Sequence, residues 1–189
     1  GYANGPVNVA AAYEISRGSQ PNQALAINQK MTDLYVERKN FDKAIETKKK
    51  VLKEDFVAEN SQEKVNQIQE LADIYLQKND TEEAIKLYKK AYEISIEKRH
   101  TLEPQKSVEK LDSLYQTSGN NAASILLYRY FLEKIPPLVK NDRSLIDAKI
   151  LEETENKISL LEKEKQLKDE LIRKKNIFNY GLIGALILL

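Results

Sequence analysis

Cysteine is absent from the 189 residues, and histidine occurs once, at His100. The first absence excludes disulfides, thiolate metal sites and cysteine nucleophiles. The second excludes His-rich metal sites and a multi-histidine catalytic centre. Six glycines and five prolines are too few for a many-turned all-β fold. A surplus of one charge is also missing, because 30 Lys+Arg stand against 29 Asp+Glu for a net +1. Nucleic-acid binding needs excess basic side chains to neutralise phosphates, so no nucleic-acid partner is expected. What is present is a chain 41% hydrophobic and 31% charged, apolar enough to bury a core. By length it is one domain or a short string of repeats. Such a chain is expected to be helical and to work by binding, with no catalytic constellation, cofactor or metal.

The charge is unevenly spread. From Glu152 to Lys175 there are seven acids and seven bases. The next thirteen residues, Ile177 to Leu189, carry none.

The chain repeats itself with a period of forty. Tyr35, Tyr75 and Tyr115 mark the repeat, preceded by Leu34, Ile74 and Leu114 and, four residues back, by Met31, Leu71 and Leu111. Ala44-Ile45, Ala84-Ile85 and Ser124-Ile125 follow each tyrosine after a polar break at Lys39-Asn40, Asn79-Asp80 and Gly119-Asn120. Upstream, Ala12-Tyr13-Glu14-Ile15-Ser16 repeats Ala91-Tyr92-Glu93-Ile94-Ser95 at an offset of 79, one short of two periods. Each unit reads as two helices. In the second, Val65, Ile68, Leu71, Ala72 and Tyr75 have helical spacing from Ser61 to Lys78, with Ser61 as N-cap. Asp80 with Glu83 starts the next helix in capping-box fashion, and Ala84, Ile85, Tyr88, Ala91 and Tyr92 are expected to face inward. Small residues at 44, 84 and 124 allow two helices to approach closely.

Leu71-Ala72-x-x-Tyr75 followed by Ala84, Tyr88 and Ala91 resembles the tetratricopeptide (TPR) signature. The third unit adds Pro136 after Phe131, where the TPR pattern closes its second helix. The resemblance covers roughly residues 6 to 137. It is weaker in the first unit, where Thr32, Lys48 and Val51 replace the expected small or aromatic residues. The period exceeds the family's usual ~34, which implies helices longer by about a turn or longer connections. Residues 6 to 16 read as the second helix of a unit whose first helix is missing, so the chain is expected to begin inside a larger array.

No turn signal interrupts the chain from Ser144 to Gly181. Leu151, Ile158, Lys165 and Ile172 are spaced by sevens, and Leu160 and Leu167 form a second such pair. The expectation is a charged helix of about 30 residues and ~45 Å. It is either a weak two-stranded coiled coil or a single helix held by pairs such as Glu164–Lys168, and Lys165 and Lys168 weaken the coiled-coil seam. Ile177 to Leu189 is too short to span a bilayer alone, but it runs off the chain still apolar and reads as the start of a transmembrane segment.

The expected fold is therefore all-α, a TPR-like helix-pair solenoid followed by a long helix running into a truncated transmembrane segment. Its parts are 1–20, the second helix of a preceding repeat; 21–60, 61–100 and 101–140, three repeats; 141–176, the long charged helix; and 177–189, the membrane segment. This order resembles the sensor region of bacterial membrane-bound histidine kinases. The resemblance implies repeats in the periplasm and an output domain beyond the span, while the apolar run at residues 177–189 reads as an inner-membrane anchor and a coiled coil at residues 145–175 would make a homodimer. Nothing of a kinase is visible, and His100 reads as a helix C-terminal residue near the dipole. Arg173-Lys174-Lys175 favours the opposite topology, with the repeats on the cytoplasmic side. The alternative function is a membrane-anchored adaptor or assembly scaffold without signalling output.

TPR proteins hold peptide or protein partners in a groove lined by the first helix of each unit. Carrying that pattern over gives Gln29, Asp33 and Glu37; Gln69, Asp73 and Gln77; and Glu109, Ser113 and Gln116. Family members that bind C-terminal carboxylates use Lys and Asn where this chain has Gln29, Asp33, Gln69 and Asp73. The groove is acidic and amide-rich, and a basic or neutral partner suits it better.

Overall fold

The computed structural model describes the backbone of residues 5–98, 103–139 and 148–187. Among the described residues there are nine α-helices and no strand. The helices are α1 (Gly5–Ser16), α2 (Pro21–Glu37), α3 (Phe41–Val51), α4 (Asp55–Ala58), α5 (Ser61–Gln77), α6 (Thr81–Glu97), α7 (Glu103–Thr117), α8 (Asn121–Val139) and α9 (Ala148–Ile187). The chain divides into two compact units, Gly1–Leu114 and Tyr115–Leu189. His100 and the stretch Ser144-Leu145-Ile146 lie outside the described residues.

The forty-residue period has a backbone cause. Lys39, Asn79 and Gly119 adopt left-handed φ values of 56°, 66° and 68°. Each ends the first helix of a pair. The next residue then returns its N–H to the tyrosine carbonyl: Asn40 to Tyr35, Asp80 to Tyr75 and Asn120 to Tyr115, each at 2.8 Å. This closes the orphan carbonyls of the last turn. The same three residues start the second helix. Their side-chain oxygens accept from the N–H of Lys43 (3.3 Å), Glu83 (3.2 Å) and Ala123 (3.1 Å). Asp80 therefore caps α6 as expected. The cap of α5 is Asn60, which accepts from the Glu63 N–H at 3.1 Å, and not Ser61, which is the first helical residue.

The small residues do what close approach requires. Ala44, Ala84 and Ser124 are fully buried. In the second pair Val65, Ile68, Leu71, Ala72, Tyr75, Ala84, Tyr88, Ala91 and Tyr92 are buried, and Ile85 is half-buried. Both helices of that pair have 17 residues, which accounts for the long period. The first pair fills its frame differently. Its second helix stops at Val51, turns through Leu52 to Glu54, and resumes as the four-residue α4. The break drops Val57 into a core with Tyr13, Ala24, Met31 and Val51. Extended Glu54 accepts from Tyr13 OH (3.3 Å) and pairs with Arg17 (3.0 Å).

In the second unit α8 does not stop at Pro136. It runs on to Val139, so Pro136 and Pro137 fall in its last turn, where each removes a ladder N–H donor. The long helix α9 continues without a break through the apolar run as far as Ile187. Leu161 and Thr154 are buried where α9 packs on α8, and Arg129 pairs with Glu162. Leu151 and Ile158 lie on that same face and are half-buried. The heptad positions 151 and 158 thus serve packing within the chain. From Lys163 to Ile183 every residue is exposed. No helix of the described residues is long and apolar enough to cross a membrane.

Candidate functional site

The first helices of two neighbouring pairs, α2 and α5, flank a hollow of about 170 Å³. Its lining includes Gln29, Asp33, Asp73 and Gln77 from the expected groove, with Lys48 and Glu70 beside them. The spacing explains the meeting. Asp33 and Asp73 hold the same place in successive forty-residue frames, and one helical turn separates each from Gln29 or Gln77.

The floor is built on a buried cation. Lys48 is only 1% exposed, yet its ammonium donates to Gln29 Oε1 (2.5 Å), to Gln67 Oε1 (2.9 Å) and to Glu70. All three of its N–H groups are satisfied, which is the condition for keeping a charge out of water. Glu70 is 41% exposed, so the pair is dry at one end and wet at the other. The Gln29 amide donates to Asp33 Oδ1 at 2.8 Å, which chains the floor to the rim.

On the other wall Tyr88 OH donates to Asp73 Oδ1, and the Lys110 ammonium lies 3.6 Å from the same oxygen. Burial first, and then the Asp73 hydrogen bond and charge, push the Tyr88 phenol above its ordinary value. Three carboxylates, set against the committed Lys48 ammonium and the Lys110 ammonium beside Asp73, leave the hollow acidic by one charge. Among the described residues no group of three or more His, Asp or Glu is placed to hold a metal ion.

The other groove positions are spread more widely. Glu37 is exposed at the end of α2, and Glu109 and Ser113 are exposed on α7. Gln69 is buried, and its amide donates to Ser107 Oγ at 2.8 Å, tying α5 to α7. Gln116, in the second unit, donates to Ser124 Oγ at 3.4 Å. Lys48 and Glu70 were missed by the sequence reading. Their signal was Lys48 itself, a charged residue at the position that Tyr88 fills one period later.

A second hollow of about 220 Å³ lies among α1, α2 and α3, lined by Tyr13, Asn28, Met31 and Tyr35. Lys50 and Lys43 lie over its tyrosine rings, 5.4 Å and 5.8 Å from the centroids of Tyr13 and Tyr35. Such cation–π contacts cover the aromatic surface, whereas in the α2–α5 hollow Asp33 is exposed and Glu70 reaches water.

Comparison with known proteins agrees with this construction. Residues 68–95 match the tetratricopeptide repeat family. No curated protein matches the chain. Among solved structures the chain is similar to the crystal structure of BtubC (BKLC) from P. vanneervenii, with a TM-score of 0.57 at 14% identity, covering 84% of this chain and 72% of that one. At that identity the likeness is one of fold. Together, the repeat match, the shared fold and the paired helices support a TPR-type protein with an all-α architecture.

Proposed function

We propose that this chain is a protein–protein interaction module rather than an enzyme, and that the α2–α5 groove takes an extended partner segment carrying a Lys or Arg side chain. The observation that carries the reading is the convergence of Asp33, Asp73 and Glu70 on one hollow whose lining lysine, Lys48, is already engaged and whose neighbouring Lys110 stands at Asp73. A hollow of about 170 Å³ is below the usual small-molecule range of roughly 300–1,000 Å³ and suits one side chain of a peptide. Calorimetric titration with a Lys/Arg-bearing peptide and its Glu-substituted counterpart tests it. Binding of the basic peptide should weaken with salt, and Asp33→Lys should weaken it at least about tenfold. Preference for the acidic peptide overturns the proposal.

A narrower reading makes the module the sensor half of a membrane-bound signalling protein of the histidine kinase type. Its support is the order of elements, together with exposed Ile177, Phe178, Tyr180, Leu182 and Ile183 where α9 would enter a bilayer. Nothing in the comparisons links the chain to histidine kinases. The narrower reading places the repeats in the periplasm, with two copies of α9 running side by side into the inner membrane. A coding sequence that continues past Leu189 into a phosphoacceptor helix and an ATP-binding domain supports it, and a stop shortly after the apolar run sinks it. The adaptor or assembly scaffold without signalling output needs only the groove and a means of bringing copies together.

A further inference from the structure

The long helix presents a second, largely apolar face that α8 meets at Glu164, through Asn121, and otherwise leaves exposed. Leu160, Leu167, Leu171 and Phe178 are 53%, 61%, 67% and 67% exposed. Their spacing of seven, four and seven is that of a coiled-coil seam, with Glu164 and Lys174 completing it. All six positions fall within an arc of about 80° on the helix surface. The stripe that packs on α8, which includes Thr154, Ile158 and Leu161, lies about 140° round the helix. A second helix can therefore dock on the seam without displacing α8.

We propose that two copies of this chain pair through this face with α9 antiparallel, in the register that sets Leu160 against the partner's Phe178. The seam reads the same in both directions in that register. Leu167 meets the partner's Leu171, and Glu164 meets the partner's Lys174. Every apolar knob faces an apolar one, and each seam charge faces its opposite. The interface is isologous, so each contact occurs twice. A parallel pair would stack Glu164 on the partner's Glu164 and Lys174 on the partner's Lys174, leaving like charges partly desolvated. The antiparallel register does set Lys168 near the partner's Lys168 and Glu170 near the partner's Glu170. Those positions flank the seam in water, where salt screens them over ~8 Å, and each has an opposite charge four residues away on its own helix. The seam charges decide the orientation because they are the ones that lose water. Asn121 donates to Glu164 at 3.3 Å and steadies it near the seam. The paired stretch is about 28 Å long.

This proposal does not rest on the groove reading. It does select between the two settings of that reading, because antiparallel helices carry their apolar ends apart and one membrane cannot take both. The absence of cysteine makes the test direct. Leu160→Cys and Phe178→Cys chains, oxidised separately and mixed, should give a disulfide only in the mixture, since a disulfide needs Cβ atoms ~3.8 Å apart. Sedimentation should show a dimer for the unaltered chain. Glu164→Lys should weaken it at least about tenfold (~1.4 kcal/mol), and Glu164→Lys with Lys174→Glu should restore it. Both substitutions lie on exposed surface, so the fold is kept. A monomer at high concentration, a crosslink between two copies of the same variant, or failure of the double exchange to restore pairing each overturns the proposal.

Discussion

At position 88 the second helix pair buries a phenol, and at the equivalent position 48 the first pair buries an ammonium. The two pairs share one frame, with a left-handed residue at 39 or 79 and a capping residue at 40 or 80. Inside the frame they diverge. Ala72 and Ala91 of the second pair correspond to Thr32 and Val51 of the first, and all four are buried. The second pair closes on apolar packing and one tyrosine hydrogen bond. The first closes on a polar network and a broken helix, with Val57 supplied by α4. The frame thus belongs to the turns, and the core is free to vary so long as it is filled.

Several substitutions would break or sharpen this contrast, and urea denaturation followed by helical circular dichroism measures them. The largest effect is expected from Leu71→Ala, which opens a cavity in the tight second pair and should cost about 2–5 kcal/mol. Met31→Ala at the matching place should fall at the lower end, because Met31 is already slightly exposed and adaptable. Equal losses would mean that the two cores are packed alike.

Lys48→Ala should cost about 2 kcal/mol, because it strands the buried Gln67 carbonyl and leaves a void. Lys48→Met keeps the volume and should cost less. No loss with either would show that the polar network is idle.

The turns supply a smaller effect of opposite sign. Lys39→Gly should stabilise the chain by about 1 kcal/mol, since glycine bears a φ of 56° without the Cβ clash. Gly119→Ala should destabilise by a similar amount through the same φ constraint, because the added Cβ would meet only the flexible Lys168 ammonium at 3.7 Å.

The smallest effect concerns alkaline pH. The Tyr88 phenol is held above its ordinary 10.0, by burial first and by Asp73 second. The folded chain keeps that proton where the unfolded chain loses it. The stability it contributes is complete below about pH 10 and declines as pH rises further. Tyr88→Phe should therefore flatten the decline in part, leaving the share of Tyr13, which burial and Glu54 raise in the same way. An unchanged slope would disprove the assignment.

The residues that could be read from the sequence were those that obey one local rule. The period, the small residues at 44, 84 and 124, and the Asp80 cap each depend on neighbours within a turn or two. The positions that escaped depend on partners far along the chain. Lys48 is tolerable only because Gln29, Gln67 and Glu70 surround it, 19 to 22 residues away. Gln69 reads as a groove residue by transfer, yet Ser107, 38 residues on, draws it inside. The helix break after Val51 has no Gly or Pro to announce it. In α9 the sevenfold spacing at 151 and 158 was visible, but the sequence could not say which stripe α8 would cover. Asn60 and Ser61 are both good caps, and only the backbone decided between them.

The turn at Lys39, Asn79 and Gly119 closes on atoms of its own few residues and borrows nothing from the cores on either side. A segment running from one such turn to the next is therefore a portable part. A tandem copy of residues 41–80 placed after Asp80 would start on one cap and finish on another, so such a chain could lengthen by whole helix pairs without re-inventing its joints.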